Sequence, residues 1–237
     1  MLDLPVGRLG ISEALRQFVA EMPHERRTIL DFVMRAAGSL PPGARVADVG
    51  AGDAPYRELF ARFDYVTIDW EQSVHEDAEA VDIVARADSM PEPDASFDAV
   101  LLTQVLEHVP DPAAVLAELR RILRPGGALY LTAPLVWELH ELPHDYYRYT
   151  SEGLRHLLDR AGFGEIFIEP RNDCFTTLAQ MLENVRWAMG RAPDGLDERR
   201  EAASDLLSDL AKRIAELAPL DAARTLPLGY AARAVRR

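Results

Sequence analysis

Cysteine and lysine are almost missing from this chain: Cys174 and Lys212 are the single examples of each among 237 residues. One cysteine excludes an internal disulfide and fits a reducing compartment, so a cytoplasmic protein is expected. Positive charge is also scarce. Lys and Arg number 26 against 39 Asp and Glu, a formal charge of −13, and the arginines are interleaved with acids rather than gathered. Holding a nucleic-acid backbone takes a concentrated basic surface that displaces counterions, so no nucleic-acid partner is expected. No window approaches the roughly 18 apolar residues of a membrane span. Met1–Gly10 lacks the basic end and apolar core of a secretory signal. Internal repeats and low-complexity tracts are lacking as well. What remains is an ordinary globular composition, 48% hydrophobic and 27% charged, enough for one α/β domain carrying an insertion.

The run Val46 to Tyr56 is a short apolar strand that ends in Gly50-Ala51-Gly52, with Asp48 two places before the first glycine. Glycines at a strand end let the backbone take conformations closed to other residues and let a ligand approach the main chain. Such loops occur in NAD enzymes, in S-adenosylmethionine (SAM) enzymes and in plain turns. The second strand, Tyr65 to Trp70, places Asp69 19 residues after Gly50. That is near the ~20 expected of a carboxylate that accepts hydrogen bonds from two ribose hydroxyls.

Elsewhere the periodicity predicts helices over 11–22 and 24–37, parted by Pro23. They pack on the sheet or form a lid, since ligands of open α/β sheets lie beyond the carboxyl ends of the strands. A short helix is expected over 55–63, a third strand over 81–88 and a buried fourth strand over 97–104; the acidic segment 71–80 is too short for a crossover helix. Asp111 and Pro112 open a helix that stops at Pro125-Gly126-Gly127, and a fifth strand follows over 128–134. Thr150 or Ser151 caps the next helix, which precedes a sixth strand over 165–169. Helical pattern then runs from 175 to 217 before a last strand over 226–235, so the final two strands are expected to pair antiparallel around a helical insertion.

With the chain laid out, it resembles the class I SAM-dependent methyltransferases, specifically the bacterial group acting on small molecules and glycans. The resemblance covers about residues 42–170. It rests on Asp48-Val-Gly-Ala-Gly52, Asp69, Asp88 ahead of Ser96-Phe-Asp98, Val105-Leu-Glu-His-Val109 and Arg124-Pro-Gly-Gly127. An NAD enzyme has no reason to carry the last three.

The resemblance implies a Rossmann-like α/β fold: a seven-stranded, mostly parallel sheet with helices on both faces and an antiparallel last strand. One domain is expected, with N-terminal helices or lid (1–41), a SAM-binding core (42–170), a helical insertion (171–222) and the last strand (223–237). The resemblance also implies that Gly50, Ala51, Gly52 and Tyr56 lie along the methionine portion of SAM, with Asp48 near its amino group. Asp69, beside Trp70, would hold the ribose. Asp88 would meet the adenine amino group, with Ser89 or Met90 along the ring, while Gln104 and His108 border the cofactor. Ala54 stands where a third glycine is usual.

Methyl transfer from a sulfonium is an in-line displacement, so alignment accounts for much of the rate, with a base added when the acceptor is a hydroxyl. The loop Trp137 to Tyr149 crowds together aromatic and titratable side chains that periodicity does not explain. His144 is the first candidate base, oriented by Asp145; His140, Tyr146 and Tyr147 are the others. The alternative is a structural clamp. The spacing of His140 and His144 suits a helical metal site, but Pro143 argues against the helix, and no metal is expected. The expected partner is a small-molecule acceptor, methylated at a hydroxyl of a sugar or secondary metabolite; nitrogen and carbon acceptors, or a SAM-binding protein without methyl transfer, are the rivals. A homodimer through the helical insertion is a further expectation.

Overall fold

The computed structural model describes residues 10–70, 81–190 and 197–237. The expectations for the first nine residues and for 71–80 lie outside the described residues. Two helices, α1 (Glu13–Glu21) and α2 (Pro23–Ser39), lead into β1 (Arg45–Val49), β2 (Asp64–Asp69), β3 (Ile83–Val84) and β4 (Phe97–Thr103). Then come α3 (Pro112–Ile122), β5 (Leu123–Pro134), α4 (Ser151–Arg160), β6 (Phe163–Arg171), α5 (Cys174–Met189), α6 (Asp197–Ala215) and β7 (Gly229–Arg236).

Local chemistry sets the ends of these elements. Ser12 caps α1 by accepting from the Leu15 amide, and Pro23 starts α2 at a position where a missing N–H costs nothing. Asp111 takes the amides of Ala113 and Ala114 ahead of Pro112. Thr150, rather than Ser151, caps α4 through the Gly153 amide.

Three elements differ from expectation. In place of a helix over 55–63 there is a 3-10 turn at Arg57–Phe60, because Ala54, Arg57 and Leu59 each bond three residues back. The third strand shrinks to Ile83–Val84, where the Asp82 carboxylate takes the Thr67 amide at 2.8 Å in place of a backbone partner. The fifth strand starts early, at Leu123, with Pro125-Gly126-Gly127 as a bulge opposite Phe97 and Ala99.

The seven strands run β3-β2-β1-β4-β5-β7-β6. All pair parallel except β7, which lies antiparallel between β5 and β6, and α5 and α6 intervene before it as a helical insertion. Alternate residues feed two cores. Ala47, Val49, Val100 and Leu102 pack with α3 and α4, while Val46, Ala99 and Leu101 pack with α1 and α2. The N-terminal helices are thus a layer of the sheet. Phe18 of α1 meets Tyr56 edge-on at 6.0 Å, and among the described residues none from α1 or α2 lines the cleft described below. The order of connections reverses between β1 and β4, which opens a crevice at their carboxyl ends.

Candidate active site

The crevice is floored by the glycine loop. Gly50 has φ 71°, a region that side chains strain to enter, and a Cβ there would overlap Val105. The Gly50 amide bonds Ile68 O at 2.8 Å, and the Gly52 amide (φ 51°) donates to Asp69 Oδ2 at 2.6 Å. Asp69 Oδ1 accepts from the Trp70 amide at 2.7 Å. Each carboxylate oxygen thus holds one backbone N–H and keeps a lone pair for a ligand. Ala54 keeps a left-handed backbone, φ 47°, so the position behaves as a glycine site although a methyl group occupies it.

Gly50, Asp69, Trp70, Asp88, Gln104, His108 and His144 line the cleft together with Val49, Ala85, Arg86, Ala87, Val105, Glu141 and Tyr146. Gln104, at φ 55°, turns the chain out of β4 and holds Thr132 Oγ1 through Nε2 at 2.9 Å. Asp88 is gripped by the Arg86 guanidinium at 2.9 and 2.7 Å, which holds its carboxyl below the usual range.

Other expected cofactor contacts stand behind the wall. Asp48 is buried beneath the loop, where it accepts from Tyr65 Oη while Oδ1 has no partner among the described residues. Burial pushes its carboxyl up to about 6, against the Tyr65 hydrogen bond. Tyr56 is buried against α1. Ala51 and Gly52 shape the loop from below. Met90 points into the core and Ser89 belongs to the turn that presents Arg86. Ala85, Arg86 and Ala87 take the lining place expected of Ser89 and Met90. A two-residue β3 turns the chain earlier than an eight-residue strand would, and that moves the lining back along the sequence.

The residues after β4 and β5 carry the titratable groups. No helix forms over 137–149; Glu141 has φ 51°. His144 stacks edge-on against Trp70 at 5.2 Å, with Nδ1 3.3 Å from Tyr146 Oη. Asp145 does not orient it. That carboxylate is bound by both Arg148 Nη atoms at 2.6 and 2.8 Å and by the His140 amide at 3.0 Å, and the arginine holds it at about 2. Tyr147 Oη donates to Pro110 O at 3.1 Å, a strap between the two loops.

His108 lines the cleft with its ring fixed through Nδ1. Its Nδ1 lies 2.8 Å from His144 O, and a carbonyl only accepts, so Nδ1 carries the hydrogen. The Nε2 lone pair then faces Glu141 Oε2 at 3.7 Å and Glu107 Oε1 at 3.9 Å. Burial lowers the pKa of His108 below 6.5, against the pull of Glu141, so the ring is neutral at pH 7. Beneath it Glu107 is wholly buried, and among the described residues neither carboxylate oxygen has a hydrogen-bond partner. Its pKa is raised to about 8 by that burial. Glu107, His108 and His140 bring one ligand atom each within 4.8 Å of one another, a geometry that a divalent cation could use. Sequence spacing had pointed instead to His140 with His144. Glu107 belongs to the Val105–Val109 motif, and its carbonyl accepts from the amides of Tyr146 and Tyr147 at 2.9 and 3.3 Å, contacts that no local spacing announces.

The profile of a family described as a methyltransferase domain matches residues 22–167. The chain belongs to that family. Among curated relatives it is 34% identical over 147 residues to the ubiquinone biosynthesis O-methyltransferase of Xanthomonas campestris pv. campestris, and 33% over 162 residues to that of Xanthomonas axonopodis pv. citri. These matches cover 55% and 61% of this chain and span 61% and 63% of the relatives. Solved structures share the fold. A SAM-dependent methyltransferase from Archaeoglobus fulgidus aligns with TM-score 0.58 at 19% identity, covering 93% of this chain and 99% of its own. The [4+2]-cyclase SpnF aligns with 0.57 at 22%, covering 89% and 80%.

The cleft residues fit the donor that methyltransferases of this fold use. Asp69 offers paired acceptors to a ribose diol. Asp48 Oδ1 is a buried acceptor below the glycine loop with no hydrogen-bond partner among the described residues. Val49, Ala85, Ala87 and Val105 give apolar surface to a flat base.

Proposed function

We propose that this protein is a SAM-dependent methyltransferase acting on a hydroxyl of a small molecule, a sugar or secondary metabolite, without a metal. The observation that carries the reading is His108: neutral, fixed in one tautomer by a carbonyl, and lining the cleft with its Nε2 lone pair beside Glu141. That is the arrangement a general base needs, and it moves the role from His144 to His108. The names of the curated relatives support an oxygen acceptor.

Bound SAM supplies a methyl group already activated as a leaving sulfonium substituent. The protein's share is alignment and one proton. Asp69 would hold the ribose beside the Gly50–Gly52 loop, Asp48 beneath that loop would sit near the amino group, and Trp70 with His144 would wall the nucleoside from water. With SAM bound, His108 Nε2 would take the proton of the acceptor hydroxyl as that oxygen receives the methyl group. Glu141, 3.7 Å away, steadies the imidazolium until the proton passes to solvent. A positioned base of this kind contributes about 10²–10⁴ in rate.

The test is release of S-adenosylhomocysteine (SAH) together with the mass gain of an acceptor. SAH release is expected, and binding of SAM with no release on any acceptor would leave a SAM-fold protein of another activity. Metal independence has its own readout. Because His108 Nε2 is assigned to the proton, turnover is expected to survive dialysis against EDTA, and loss that Mg²⁺ or Zn²⁺ restores would reassign Glu107, His108 and His140 as ligands.

A further inference from the structure

Between β5 and α4 the chain doubles back in a turn over 141–144. The His144 amide donates to Glu141 O at 3.0 Å, and Glu141 takes a left-handed backbone, φ 51°. Apolar burial does not seat this turn, since Leu139 and Leu142 are 72% and 67% exposed. Two other contacts do. The following residue, Asp145, is gripped by Arg148, and the half-buried His144 ring stands edge-on against Trp70 on the donor side of the cleft.

The same turn brackets His108. At one end the His144 carbonyl takes the hydrogen on Nδ1 at 2.8 Å, and at the other Glu141 Oε2 lies 3.7 Å from Nε2. A neutral imidazole can carry its hydrogen on either nitrogen, and the bond made by one decides the role of the other. A carboxylate accepts as well as a carbonyl does, so Glu141 draws the hydrogen toward Nε2, where that nitrogen could only donate. The His144 carbonyl must outcompete it. Any shift of the turn is therefore felt at both ring nitrogens.

Resting on the reading of His108 as the base, we propose that His144 is a positioning residue: its ring, set against Trp70, ties the 141–144 turn to the donor side, and its carbonyl thereby keeps the His108 hydrogen on Nδ1. The imidazole nitrogens of His144 have no chemical part. Tyr146 Oη lies 3.3 Å from His144 Nδ1 and steadies the same ring. On the other side of the contact, the Trp70 amide is held by Asp69, whose second oxygen takes the Gly52 amide. The wall beside the donor and the carbonyl that sets the base are thus joined through the Trp70–His144 contact.

The experiment is nitrogen NMR of the full chain carrying isotope-labelled histidine, with SAH bound and at a pH above the histidine range. The His108 signal is identified by its loss in His108→Asn. Wild type is expected to show His108 with its hydrogen on Nδ1. His144→Ala is expected to mix in the Nε2 form and to lower kcat at saturating SAM about 2- to 10-fold, the worth of one hydrogen bond, with the KM for the acceptor little changed. Trp70→Leu, which removes the partner ring instead, is expected to copy that spectrum. His144→Phe keeps a flat ring against Trp70 without a ring nitrogen, and is expected to restore most of both the spectrum and kcat. A His108 spectrum unchanged in His144→Ala would overturn the proposal. So would a His144→Phe variant as slow as His144→Ala, because the imidazole itself would then be needed. The base assignment fails separately: a mixed tautomer in His144→Ala with undiminished turnover supports the positioning contact and refutes His108 as the base.

Discussion

The donor side of the cleft, from Val49 to Trp70, is held by backbone and one carboxylate, whereas the acceptor side, from Gln104 to Tyr149, adds a set of side-chain bonds to its backbone ones. On the donor side the amides of Gly50, Ala51, Gly52 and Trp70 are all fixed to β2 or to the carboxylate at its end. On the acceptor side the amides of Gln104, Tyr146, Tyr147 and Tyr149 bond backbone carbonyls, and to these are added Tyr149 Oη on Leu106 O at 2.8 Å, Tyr147 on Pro110 and Arg148 on Asp145 and Trp137 O. Backbone-held geometry tolerates few residue types at each position and serves one ligand. Side-chain-held geometry can be rewritten one residue at a time, which suits the half of the site that must fit a particular acceptor.

Substitutions on each side should separate the two. The largest effect is expected from His108→Asn, which keeps the Nδ1-type contact and removes the base: turnover should fall about 10²–10⁴-fold with SAM affinity intact. In the wild type the base stays unprotonated to below pH 6.5, so kcat/KM should hold level through neutral pH and decline only under that value. A nitrogen acceptor, already a nucleophile, would show little loss. Gly50→Ala should act on the other side, weakening SAM binding about 100-fold or more, since its Cβ overlaps Val105 in a left-handed backbone. Partial recovery in Gly50→Ala with Val105→Ala would show that the overlap is the cause.

Asp69→Ala is expected to cost about 10- to 100-fold in SAM affinity, as charged hydrogen bonds to ligand and loop are lost, while turnover at saturating SAM changes little. Equal affinity in equilibrium dialysis would remove Asp69 as the ribose contact. The smallest effect is on stability. Glu107 keeps its proton in the folded protein up to about 8 but loses it in the unfolded chain above about 4.5. Between those values the unfolded state binds fewer protons, so wild-type stability falls as pH rises. Glu107→Gln copies the protonated form. Its melting temperature should match wild type near pH 4.5 and exceed it increasingly up to pH 8, by about 2–4 °C per kcal/mol in a chain of this size. A constant difference across that window would mean that Glu107 is ionised in place.

Much of the fold could be read from residue pattern. β4 is a run of apolar residues because it is covered on both faces, and α3 opens at Asp111-Pro112 because a cap and a proline suit only that position. The short β3 could not be read, since its apolar residues look like a strand and only the Asp82 contact to Thr67 shows why pairing stops. At the site, Asp69 was legible by its distance from Gly50. His144 and His108 were not distinguishable, because both are histidines beside recognisable turns. What separates them is a carbonyl 36 residues away in sequence that fixes one ring.

By itself the sequence determined the family of fold, the glycine loop and the acid that clamps it, because these depend on short-range spacing and on backbone angles that few residues can adopt. Only the tertiary structure decided that a backbone carbonyl fixes the His108 ring in one tautomer. It also decided that Asp145 serves Arg148, and that Glu25, Glu107 and Arg171 meet in one buried place. Those outcomes rest on side chains from distant segments competing for the same partners, and such competition is settled by packing, not by order along the chain.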